Sequence, residues 1–143
     1  MMTAEQSLSA LQTALAAEHA AVYAYGVCGG VLDGGSSAGV RARDGYLAHQ
    51  QRRERLQREL RTLGAEPVAA LPGYDLPGPV TNIGSAARLA RLVEDRCAVG
   101  YADLVRQSTP PVRRLAVDWL SEAATRGLDW SAEPTAFPGF EDR

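Results

Sequence analysis

Leu15-Ala-Ala-Glu-His-Ala-Ala-Val22 (LAAEHAAV, residues 15–22) puts a carboxylate in the middle of an apolar helical run. The seam through it is Leu8, Leu11, Leu15, Glu18, Val22 and Tyr25, advancing by alternating steps of three and four residues, the repeat of helices packed side by side. Two further stretches keep the same rhythm and the same interruption. Tyr46 to Arg53 belongs to a seam of Tyr46, His49, Arg53, Leu56, Leu60 and Leu63, and Glu94 to Tyr101 to a seam of Ala90, Glu94, Cys97, Tyr101 and Leu104. A carboxylate or imidazole on a buried seam costs several kcal/mol unless it is paired or binds a metal, so Glu18, His49 and Glu94 need partners.

The rest of the chain supplies the helices that carry these seams. Thr3 and Gln6 have the spacing of a capping box, and the periodic run after them predicts a first helix to about Val31, roughly 40 Å long. The Asp33-Gly34-Gly35 cluster gives a short turn, Ser36 or Ser37 caps a second helix from about Ala38 to Leu63, and Gly64 stops it. A short turn makes the two helices antiparallel neighbours. Residues 65–84 then hold Pro67, Pro72, Pro77 and Pro79, a density no helix or central strand accepts. Extended, this segment reaches along the whole bundle, so the third helix, from about Ser85 to Gln107, runs parallel to the second. Thr109-Pro110-Pro111 restarts the chain into a fourth helix ending near Trp130, and residues 131–143 form a tail in which Phe137 and Phe140 are expected to lie across the bundle.

Composition narrows the function classes. A chain of 143 residues, 45% hydrophobic and 22% charged, makes one ordinary domain with a continuous core. All fifteen basic residues are arginine, yet the net charge is −2, which argues against nucleic acid as a partner. The seven arginines between Arg41 and Arg61 alternate with Asp44, Glu54 and Glu59 and read as a solvated, ion-paired face. No apolar run reaches the roughly 18 residues of a membrane span, and no signal segment opens the chain, so a cytoplasmic location is expected. Cys28 and Cys97 fall at distant levels of the bundle and are expected to stay unpaired.

Two antiparallel hairpins joined by a long crossover between helices 2 and 3 is the topology of ferritin-like bundles. The stretches LAAEHAAVYAYG, AHQQRRERL, GAEPVAALPGYDLPGPVT and FPGF resemble a small actinobacterial ferritin-like family without an assigned function. The resemblance implies an all-α four-helix bundle. Metal-binding members of the wider superfamily supply a Glu from each of two helices and a Glu-x-x-His pair from each of the other two. By that resemblance Glu18 and Glu94 match the single glutamates and His49 the helix 2 histidine, while Tyr46 stands where the helix 2 glutamate belongs. Helix 4 offers Glu122 with Arg126 nearby and no histidine, the pattern of a degenerate di-iron site.

Axial rise groups the same residues independently. Glu18 and His49 lie at about the same distance either side of the first turn, and Glu94 and Glu122 do so either side of the second. Two readings follow. In the first, Glu18, His49 and Glu94 form a buried network with Tyr46, Arg53, Tyr101 and Arg126, no cofactor is held, and the protein is a non-catalytic bundle serving a ligand or protein partner. In the second, Glu18, His49, Glu94 and Glu122 hold iron, manganese or zinc for redox or metal-binding chemistry. The superfamily resemblance implies a homodimer burying faces of helices 1 and 2.

Overall fold

The computed structural model describes residues 3–130, which form α1 (Ala4–Val31), α2 (Ser37–Thr62), α3 (Ile83–Gln107) and α4 (Pro110–Asp129). The tail predicted over 131–143, with Phe137 and Phe140, lies outside the described residues. The helix ends have local causes. Thr3 and Gln6 form the expected capping box, Ser36 accepts from the Gly39 amide, and Asn82 with Ser85 forms a second capping box at α3. Helix α2 stops in a Schellman turn: Gly64 takes φ of 76°, its amide donates to Arg61 O, and the Ala65 amide donates to Leu60 O. Gly39 must be glycine for a different reason, since a Cβ there would stand 2.1 Å from the Asp33 carbonyl oxygen of the turn.

Cross-helix contacts fix the topology. Pairing of Glu18 with Tyr101 and of Tyr25 with Glu94 makes α1 and α3 antiparallel. The tight turn sets α2 antiparallel to α1, so α2 and α3 run parallel, and contacts from Arg41 to Asp129 and Arg52 to Glu122 set α4 antiparallel to α2. The segment between α2 and α3 is extended and climbs α1. The side chain of Gln12 brackets it with hydrogen bonds to Glu66 O and from the Val68 amide, each 2.8 Å, and Tyr74 packs on Tyr23 further up. His19 is buried beneath this strap, with Nε2 2.9 Å from Val68 O. The described residues hold four helices and no strand, an all-α four-helix bundle with the long crossover between its hairpins. No helix among them is long and apolar enough to cross a membrane.

One core fills the bundle, with Leu15, Leu56, Leu60 and Leu104 fully buried and alanines where helices approach closely. The α1–α2 contact is reciprocal. Tyr25-Gly26 on α1 faces Gly45-Tyr46 on α2: the Tyr25 ring fills the space a Gly45 side chain would need, and the Tyr46 ring lies over Gly26. The α2 seam therefore runs through Ala38, Ala42, Gly45, His49, Arg52, Leu56 and Leu60. Starting it at Tyr46 places Arg53 inward by the heptad step, whereas the glycine start brings Arg52 in; Arg53 is half-buried and Leu63 exposed.

Candidate polar centre between the helices

Halfway along the bundle, Glu18, His49 and Glu94 come from three different helices and are all buried. His49 lies between the two carboxylates: Nδ1 meets Glu18 Oε1, and Nε2 is 3.0 Å from Glu94 Oε2. Each carboxylate then accepts from a tyrosine on the opposite helix, Tyr101 to Glu18 and Tyr25 to Glu94. The arrangement is approximately two-fold, because both α1 and α3 carry a glutamate followed seven residues later by a tyrosine. Trp130 Nε1 donates to the Tyr25 hydroxyl at 3.2 Å, and the Tyr25 ring stacks on His49 with centroids 5.4 Å apart.

Arginines close the network at both ends. Arg52 is buried, donates from Nη1 to Tyr101 at 2.9 Å and from Nη2 to Glu122, and lies over the Tyr101 and Trp119 rings. Arg126 Nη1 stands 3.9 Å from Glu94 Oε1, a charge pair with no hydrogen bond at either atom among the described residues. Formal charges balance: Glu18, Glu94 and Glu122 face His49, Arg52 and Arg126.

The ring of His49 is held charged. Burial is the largest single influence and opposes its proton, but the adjoining Glu18 carboxylate and Cys97 together outweigh it and lift the pKa well above the ordinary histidine range. Glu94 is the converse: burial favours its neutral form, and the hydrogen bond and charge of His49 overcome it to hold the pKa below the usual carboxylate value. Burial, reinforced by the neighbouring carboxylates, keeps Tyr25 and Tyr101 protonated and donating.

Four of the eight expected residues, Glu18, His49, Glu94 and Tyr101, meet directly, and Arg126 flanks them. Glu122 does not reach the centre; its side chain is 55% exposed and pairs with Arg52. Arg52 occupies the role given to Arg53, and Tyr46 packs over Gly26 instead of joining the layer. Cys97, which reads from sequence as a small core residue, lies with its Sγ 4.0 Å from Glu18 Oε1, and ligand atoms of Glu18, His49 and Cys97 all fall within 4.8 Å of one another. Trp130 is the network's far donor.

The match to known proteins decides the family. Residues 10–142 match the Domain of unknown function (DUF4439). The chain belongs to this family. A conserved hypothetical protein, rv2844, from Mycobacterium tuberculosis is 30% identical, with TM-score 0.84 over 90% of this chain and 97% of that one. A dodecameric thioferritin, the bacterioferritin-related protein from Bacteroides fragilis, superposes with TM-score 0.76 at 19% identity over 91% of this chain and 84% of that one, which establishes a ferritin-like fold. No curated protein matches the chain.

Proposed function

We propose that this DUF4439 protein is a non-catalytic ferritin-like bundle in which a self-neutralised Glu, His, Arg and Tyr network occupies the place of a two-metal centre, leaving the surface to meet its ligands. The observation that carries the reading is His49: both ring nitrogens are engaged by carboxylates, so neither offers a lone pair to a cation. The residues present do not fit a binuclear site. Helix α4 supplies no histidine, Glu122 is held at the surface by Arg52, Tyr46 replaces a carboxylate, and the paired charges leave no net negative potential for a dication. A cytoplasmic homodimer is part of the proposal, supported by the two free cysteines and by exposed apolar side chains on the α1–α2 hairpin.

A second reading, one metal ion on Glu18, His49 and Cys97, draws on the closeness of those three side chains. It requires His49 to surrender a proton that Glu18 holds in place, and a Cys97 thiol that burial pushes up to about 11 to ionise. The test uses protein purified without a histidine tag, dialysed after exposure to iron(II), manganese(II) or zinc(II). Elemental analysis should find well under one metal per chain and the melting temperature should not move. One tightly held ion per chain, lost in Glu18→Ala, would establish the metal reading instead.

A further inference from the structure

Helices α2 and α4 leave an open groove of about 250 Å³ between them, lined by Arg52, Arg55, Arg58, Leu115, Trp119 and Glu122 among others. Its volume is below the about 300–1,000 Å³ of drug-sized pockets, so an occupant must be small. The floor is Arg52, whose guanidinium is fixed by stacking 5.3 Å from the Tyr101 centroid and 5.8 Å from that of Trp119. A buried guanidinium cannot lose its counter-ion cheaply. Glu122 supplies that counter-ion from the surface, where its half-exposed carboxylate can return to water at little cost. Exchanging Glu122 for another anion therefore preserves the charge balance of the layer beneath. Arg55, paired with Glu59, and the exposed Arg58 add positive charge at the rim, while Leu115 and Trp119 form an apolar wall.

We propose that this groove binds a small organic oxyanion, a carboxylate or phosphate head on a short apolar body, with the head displacing Glu122 from Arg52 and the body lying along Trp119 and Leu115. The fork of an arginine suits the planar or tetrahedral oxyanion, and the apolar wall selects against a bare ion. The groove opens on the outer side of Arg52, whose bond to Tyr101 links it to the Glu18 carboxylate beneath.

Calorimetric titration of the full chain with benzoate and with phenyl phosphate, alongside inorganic phosphate and benzyl alcohol, tests the proposal. At least one of the first two should bind and change tryptophan fluorescence, and which one binds tells carboxylate from phosphate. Glu122→Gln, which removes the internal anion, should tighten binding about tenfold and make the ligand-induced rise in melting temperature larger. Arg58→Ala, at an exposed position, should weaken binding several-fold without unfolding the chain. The proposal is overturned if neither organic anion binds, if Arg58→Ala leaves the affinity unchanged, or if inorganic phosphate or benzyl alcohol binds as well as they do.

Discussion

At neutral pH the ring of His49 keeps a proton that an unfolded histidine loses near about 6.5, because Glu18 and Glu94 flank both its nitrogens. As pH rises above that unfolded value, the unfolded chain sheds the proton and the folded one does not. The stability contributed by the raised pKa therefore falls, by at most about 1.4 kcal/mol per pH unit, until the folded pKa is passed. Glu94 works in the other direction: its lowered pKa contributes above the ordinary value of 4.5 and is lost as pH falls through the folded one. Urea unfolding should thus show greatest stability between about pH 4.5 and 6.5 and a decline toward pH 8.5, a decline absent in His49→Gln. A midpoint unchanged from pH 6 to 8.5 would rule out a charged His49. A second residue-scale prediction concerns Gly45, where a Cβ would stand 2.4 Å from the Tyr25 ring, itself held by Glu94 and Trp130. Alanine is the better helix former by about 1 kcal/mol, but overpacking costs about 1–3 and loosening the Tyr25 bond to a carboxylate about 1.5–3. Gly45→Ala should be destabilising, whereas Gly29→Ala, with nothing within 4 Å, should gain stability in the same urea assay. The same glycine explains what the sequence hid. Glu18, His49, Glu94 and Tyr101 were legible as polar residues on apolar seams, but choosing between Arg52 and Arg53 required knowing that a tyrosine from α1 fills the gap at Gly45.

Helices were legible because their boundaries are written in local chemistry, and the caps grade how much each boundary matters. Asn82 accepts from the Ser85 amide while Ser85 returns a contact to the cap, so Asn82→Ala should cost about 1 kcal/mol. Thr109 occupies the cap position of α4 but its side chain makes no capping bond. Pro111 at the second helical position has no amide, which removes one of the two donors such a cap uses. Thr109→Ala should therefore change the urea midpoint by much less than Asn82→Ala, and an equal loss would show that the threonine caps in solution after all. The crossover was legible from its prolines as an extended link of bundle length. Its docking was not, because Gln12 and His19 grip it through backbone carbonyls and amides, which every residue type presents alike. The burial of His19 and the Tyr23–Tyr74 ring contact mark the segment as a fitted strap.

For the molecule as a whole, the proposed homodimer draws on apolar side chains left uncovered on one hairpin. The α1–α2 hairpin exposes Val31, Val40 and Leu47 by 39%, 46% and 48%, and Val40 and Leu47 lie seven residues apart on one side of α2. A two-fold pairing of this face would bury the same patch on both copies, the self-complementary contact typical of homodimers. Fully covering such side chains is worth about 1.5–3 kcal/mol each, so a handful contributed twice by symmetry outweighs part of the about 4–15 kcal/mol lost on association. Light scattering during gel filtration should give twice the 15.3 kDa chain mass. Leu47→Glu places a carboxylate opposite its own copy near the axis and should return the protein to a monomer with its melting profile otherwise intact, because Leu47 is outside the core. A wild-type monomer at high concentration removes the dimer. A dimer unaffected by Leu47→Glu moves the interface off this hairpin.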